Sequence, residues 1–224
     1  MGRTICAVFD IDDTLYLERD YVRSGFEAVG AWASRWLGRG DFGERCWCRF
    51  VAGDRNSIFD KTLRECGKEP APELIAALVA IYRTHVPSIT LAPDAFEALS
   101  AISGNTPIAV ISDGPITSQS RKAEALGLNA FADPILLTEV MGSALCKPHP
   151  WAFEQVQQSR PADKYVYIAD NPCKDFTAPT QLGWVTVRIR RPGGLHFAVE
   201  SSTDRPDYGM SDCSALPELL AGLQ

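Results

Sequence analysis

The chain has 224 residues, 46% hydrophobic and 22% charged, the balance of an ordinary globular protein of one large domain or a domain with an insert. A formal net charge of -6 argues against a nucleic-acid partner, because a phosphate backbone calls for clustered Lys and Arg. The seven cysteines, an odd number without a Cys-x-x-Cys pair, argue against a disulfide framework or a zinc site and for reduced thiols in a cytoplasmic protein. No apolar run approaches the ~20 residues of a membrane helix, and the first strand starts too near Met1 to leave room for a signal peptide.

The first element, Ile5 to Phe9, is a short apolar run that reads as a buried strand. It stops at Asp10-Ile11-Asp12-Asp13-Thr14. Two-residue spacing in extended backbone puts Asp10 and Asp12 on one face. Desolvated like charges repel, so a hard divalent cation with oxygen ligands is the natural compensation. The plainer reading is a strand followed by an acidic helix cap and a turn.

Tyr21 to Leu37 repeats apolar residues at three- and four-residue steps, the pattern of an amphipathic helix. Further helices are expected over 42–52, 57–66 and from Pro72 to about Tyr82, where a first-turn proline is tolerated. Residues 18–88 therefore read as a small all-helical insert. The remainder alternates: helix 93–102, strand 107–111, helix 117–126, strand 135–138, helix 150–158, strand 165–169, helix 174–183, strand 184–189. Residues 191–212, rich in Gly, Pro, Ser and Asp, read as an irregular crossing to a final helix over 215–220. Such alternation predicts a Rossmann-like, doubly wound, mostly parallel five-stranded α/β sheet, formed by residues 1–17 and 89–224 around the helical insert. Ligands of such sheets bind beyond the carboxyl ends of the strands.

Three later stretches sit at such ends. Val110-Ile111-Ser112-Asp113-Gly114 closes a strand with a hydroxyl and turn amides able to bind phosphoryl oxygens, although Ser-Asp-Gly is also an ordinary turn. Cys146-Lys147-Pro148-His149-Pro150 presents a lysine in a loop stiffened by two prolines. Tyr167 to Asp175 ends another strand with Asp170 and Asp175.

Taken together, in this order, these stretches resemble the four motifs of the haloacid dehalogenase superfamily, mostly Mg2+-dependent phosphatases whose core carries a helical cap at the place of this insert. Ala169 stands where the family usually has Gly. The resemblance implies that Asp10 attacks phosphorus to give an aspartyl-phosphate, and that Asp12 is the acid and then the base. It implies that Ser112 and Lys147 act on the transferred group, with Asp113 and Gly114 beside them on the substrate. Mg2+ would be held by Asp10, the backbone carbonyl of Asp12 and Asp170, with Asp175 in the second shell or bound through water. His149 is expected to be a loop residue. The substrate is expected to be a small phosphorylated metabolite; a sugar phosphate, a nucleotide and a phospho-acid all stay open. No nucleic acid or membrane partner is expected, and the chain is expected to be a monomer or homodimer. A 2-haloacid dehalogenase of this fold lacks the second aspartate of the first motif, whereas Asp12 is present. A phosphomutase and a non-catalytic phospho-ligand module are the other readings. Arg19, Arg23, Arg49, Arg55 and Asn56 of the insert are candidate substrate contacts against a background of solvated helix faces. One of Arg188, Arg190 and Arg191 is expected at the substrate entrance.

Overall fold

The computed structural model describes residues 4–200 and 205–224. Strand β1 (Ile5–Phe9) is buried along its whole length, as a central strand covered on both faces must be. Four helices follow: α1 (Glu18–Leu37), α2 (Phe42–Val51), α3 (Ile58–Glu65) and α4 (Pro72–Thr84). Next come α5 (Pro93–Ile102), β2 (Ile108–Ser112), α6 (Ile116–Ala125), β3 (Ile135–Leu137) and α7 (Trp151–Ser159). The chain ends with β4 (Lys164–Ala169), α8 (Thr177–Gln181), β5 (Val185–Ile189), β6 (Tyr208–Met210) and α9 (Leu216–Leu223). Its contacts divide it into two units, Met1–Glu18 with Thr90–Gln224, and Arg19–Ile89.

The first unit is built on one parallel sheet of order β3-β2-β1-β4-β5-β6. The α/β class is as the sequence predicts; the strand count is six rather than five. The sixth strand, β6, lies inside the stretch expected to be irregular. It is three residues long with Gly209 at its centre, too short to show any alternation. A side chain seats it: Asp207 accepts from both the N–H and Oγ1 of Thr186, each at 2.8 Å. Helix α8 begins later than expected, because Asp175 folds back to accept the N–H of Asn171 at 2.9 Å. One side of the sheet packs Phe153 of α7 edge-on against Tyr167 and Trp184. The backbone N–H of Ala92 donates to the carbonyl of Leu15 at 2.9 Å, closing the point where the insert leaves and rejoins.

The second unit has its own aromatic cluster of Tyr21, Phe26, Phe50, Phe59, Tyr82 and His85. Helices α1 and α2 approach closely at Gly43, where a Cβ would lie 2.4 Å from the carbonyl oxygen of Phe26. The arginines singled out in this unit meet other residues of it. Arg23 pairs with Glu27 and Glu44, Arg49 with Asp54 and Glu65, and Arg19 and Arg55 lie over the Trp47 and Phe50 rings. Asn56 is exposed. No helix among the described residues is long and apolar enough to cross a membrane.

Candidate active site

Strands β2, β1 and β4 are adjacent at the middle of the sheet. Their carboxyl ends deliver Ser112, Asp10 and Asp170 to one place, as this topology dictates. Asp10 continues the pairing of its strand, donating its N–H to the carbonyl of Ile168 at 2.9 Å.

Lys147 is the cation of the site. Its side chain is fully buried, with Nζ 2.6 Å from Asp10 Oδ1, 2.8 Å from Asp175 Oδ1 and 3.0 Å from the Tyr167 hydroxyl. Burial pulls the lysine pKa down, but Asp10 and Asp175 outweigh it and hold that pKa well above its ordinary value. Asp10, Asp170 and Asp175 have carboxylate oxygens within 4.8 Å of one another. Burial first, then repulsion from Asp175 and Asp170, push the Asp10 carboxyl up to about 8 against the pull of Lys147 and Lys174. Asp170 is also raised, by burial first. Three buried carboxylates around one ammonium, offering only oxygen donors, fit a hard divalent cation such as Mg2+.

Asp12 has a different environment. Its Oδ1 accepts from the Tyr16 hydroxyl at 2.5 Å, and its Oδ2 from Gln119 Nε2 at 3.1 Å. The Lys122 ammonium lies 2.7 and 2.8 Å from the two oxygens. Burial would raise this carboxyl; the charge of Lys122 and the three donors outweigh it and hold the pKa below the ordinary carboxylate value. Two aspartates two residues apart are thus driven in opposite directions.

Ser112 is buried and donates to Gln119 Oε1 at 3.1 Å. Gly114 has φ +121°, a conformation suited to glycine, and a Cβ there would lie 3.0 Å from Gln119 Nε2. Asp113, expected on the substrate, commits its carboxylate to the protein. Oδ1 accepts from Thr138 Oγ1 at 2.6 Å and from the Lys147 N–H at 3.1 Å, while Oδ2 takes Lys174 Nζ at 3.0 Å. It fixes the loop that carries the catalytic lysine candidate.

A second set of side chains adjoins Asp170. His196 Nδ1 lies 3.0 Å from Asp170 Oδ2, and its Nε2 lies 3.1 Å from Asn171 Nδ2. Asp13, with φ +53°, accepts the N–H groups of Glu18 at 2.9 Å and Leu195 at 2.6 Å. The three arginines expected at the entrance are held by the protein. Arg188 donates to the carbonyls of Asp170, His196 and Val199. Arg190 meets Phe197 and Glu200, and Arg191 grips Asp94 and the Thr14 carbonyl. His149 is an exposed loop residue whose Nδ1 accepts the N–H of Trp151 at 3.1 Å.

Asp10, Ser112, Lys147, Asp170 and Asp175 therefore converge, and Asp12 stands beside them in its own cradle. Sequence reasoning missed Tyr16, Gln119, Lys122, Tyr167 and His196. For Gln119 and Lys122 there was a signal: polar residues one helical turn apart, on the helix directly after the Ser112 strand. For Tyr167 the signal was a phenol inside an otherwise apolar buried strand, whose hydroxyl needs a partner. His196 lies in a stretch without periodicity and carried none.

A parallel sheet with an inserted helical unit and this carboxylate–lysine cluster defines a hydrolase class with an aspartate at its centre. The haloacid dehalogenase-like hydrolase family model matches residues 6–178, and the chain belongs to that family of hydrolases. It is 26% identical to the glyceraldehyde 3-phosphate phosphatase of Methanocaldococcus jannaschii over 97% of each chain. It is 29% identical to the enzyme of the same name from Methanopyrus kandleri, over 67% of this chain and 65% of that one. Among solved structures, the HAD-hydrolase YfnB of Bacillus subtilis bound to magnesium superposes with a TM-score of 0.69 at 17% identity, covering 98% of this chain and 99% of that one. The 2-haloacid dehalogenase of Pseudomonas syringae gives 0.67 at 20% identity over the whole of both chains. These two likenesses are of fold.

Proposed function

We propose that the chain is a Mg2+-dependent phosphatase that hydrolyses a small phosphorylated metabolite through an aspartyl-phosphate on Asp10. The observation that carries this reading is the divergence of Asp10 and Asp12. One is packed with Lys147 and two further carboxylates; the other is held apart as a hydrogen-bonded anion. A 2-haloacid dehalogenase has no use for the second group.

Asp12 takes up a proton from solvent as the substrate binds; Asp10 Oδ then attacks phosphorus, the ester P–O bond breaks, and the leaving oxygen takes that proton from Asp12. Water then attacks the phosphoryl group and gives its proton to Asp12, the bond to Asp10 breaks, and inorganic phosphate leaves. Lys147 and Ser112 orient the phosphoryl oxygens. Asp10, Asp170 and the carbonyl of Asp12 would hold Mg2+, with Asp175 behind them; bound there, it offsets the charge of two anions brought together. The helical insert serves as a cap that sets substrate choice, and the relatives named above make glyceraldehyde 3-phosphate the first substrate to try. The free cysteines suit a reducing compartment, and we place the enzyme in the cytoplasm as a monomer or homodimer.

The test is phosphate release from glyceraldehyde 3-phosphate, other triose and sugar phosphates and p-nitrophenyl phosphate. Turnover that is lost in chelator, restored by Mg2+ and absent in Asp10→Asn is expected. Full activity in chelator, or activity on 2-haloacids alone, would overturn the reading.

A further inference from the structure

Gln119 and Lys122 are nearly inaccessible polar side chains on one face of α6, exposed by only 3% and 2%. Both reach the acid–base aspartate from more than a hundred residues away in sequence. Gln119 also joins two parts of the site. Its Oε1 accepts the proton of Ser112, and its Nε2 donates to Asp12 Oδ2. The glycine of the Ser-Asp-Gly turn leaves room for this amide. Lys122 meets both oxygens of Asp12 at 2.7 and 2.8 Å.

We propose that Gln119 and Lys122 are positioning residues that seat Asp12 for proton transfer and wire that seat to the phosphoryl-binding hydroxyl of Ser112. The inference rests on Asp12 being the acid–base of the phosphatase described above. Ser112 has one hydroxyl proton. In this structure it points at Gln119, whereas a docked phosphoryl oxygen is an acceptor and calls for that proton. On turning, the hydroxyl leaves Gln119 Oε1, so the amide that holds Asp12 through its Nε2 is no longer anchored to β2 when the phosphoryl group arrives. Lys122 stays as the counter-charge to which Asp12 returns after it has given its proton to the leaving oxygen. In the second half-reaction the water oxygen bonds to phosphorus, the phosphorus–Asp10 bond breaks, and the water proton goes to Asp12. A carboxylate that has lost its seat performs this step slowly even when Asp10 attacks normally.

The experiment uses the full chain with Mg2+ and p-nitrophenyl phosphate, whose good leaving group needs little acid help. Lys122→Met and Gln119→Met are compared with wild type and Asp12→Asn by rapid mixing. Lys122→Met is expected to give a full nitrophenol burst, one per site. A steady rate ~10–100-fold below wild type should follow, the scale of lost hydrogen bonds to a charged group, with kcat/KM within ~2-fold because the first step is intact, so that KM falls along with kcat. Gln119→Met should shift the same way by less. A merely damaged fold would shrink the burst along with the steady rate. Wild-type steady rate without a burst in Lys122→Met overturns the proposal; if that variant is insoluble, the same result in Gln119→Met does so. If Asp12→Asn itself turns over like wild type, the acid–base assignment fails instead, and the two failures are told apart.

Discussion

The backbone N–H of Lys147 donates to Asp113 Oδ1 at 3.1 Å. This bond ties the turn after β2 to the proline-stiffened loop, and so sets where the buried ammonium meets Asp10. Asp113→Ala removes it together with the Thr138 and Lys174 contacts. A buried donor left without its partner costs ~1–3 kcal/mol. The expected result is a loss of ~10–100-fold in kcat/KM, as that energy converts, with a lowered thermal midpoint. Asp113→Asn, which keeps one acceptor oxygen, should lose less. Steady-state kinetics beside thermal unfolding checks both, and unchanged kcat/KM in Asp113→Ala would show that other contacts place the loop.

Three buried carboxylates lie within reach of one another, and Lys147 pairs with only two of them, Asp10 and Asp175, so without a cation their mutual repulsion is incompletely offset. Mg2+ at about a hundred times its dissociation constant should stabilise by ~2.7 kcal/mol, which for a chain of this size raises the midpoint by ~5–10 °C. Asp170→Asn should abolish that rise. Lys147→Met should unfold ~3–5 kcal/mol more easily in chelator, the usual cost of stripping one partner from a buried ion pair, and Mg2+ should recover part of it. Differential scanning calorimetry with and without Mg2+ decides. A midpoint indifferent to Mg2+ in wild type would count against the cation site.

The sheet was legible because β1, β2 and β4 are apolar runs that each stop at a polar residue. In a parallel sheet that break marks the end of a strand and the edge of a site. That break puts Asp10, Ser112 and Asp170 at strand ends, and only the order of all four motifs, through their family resemblance, marked them out as a site. Lys147 needed its neighbouring prolines as well. β6 was not legible, since three edge residues held by Asp207 leave no pattern. Nor was the partner of Asp12, because a contact between Asp12 and Lys122 depends on how α6 packs beside β1, which no local spacing encodes. The bonds of Asp113 were hidden for a related reason: its place in a Ser-Asp-Gly turn gives no sign of its partners on two distant loops.

Asp94 and Arg191 form a two-point ion pair at 2.8 and 2.7 Å, and Asp94 also accepts the N–H of Cys213 at 2.9 Å. Burial would raise the Asp94 carboxyl, but the bonds from Arg191 and Cys213 outweigh it and lower the pKa below its ordinary value of 3.8. A carboxylate with a depressed folded pKa adds stability above its unfolded pKa and loses it as pH falls through the folded one. Asp94→Asn should therefore be less stable than wild type at pH 7, by no more than a few kcal/mol for this partly exposed group. The gap should close below about pH 4, where the unfolded carboxyl protonates first. Urea midpoints from pH 3 to 7 follow this, and a gap that does not change with pH would assign the pair no electrostatic role.

The hydrogen bond from Ala92 to Leu15 means that the chain departs for the insert and comes back through a gap one backbone bond wide. In polymer terms the insert is a closed loop on an already closed base, and closure entropy grows only slowly with the length of such a loop. The α/β unit is therefore nearly indifferent to what is threaded there. Replacing Arg19–Ile89 by a few Gly and Ser residues should leave the parallel sheet cooperative and Mg2+-responsive while removing substrate choice. A foreign helical hairpin with similarly spaced ends should be accepted just as readily, so this junction is a socket into which unrelated segments can be set without disturbing the sheet.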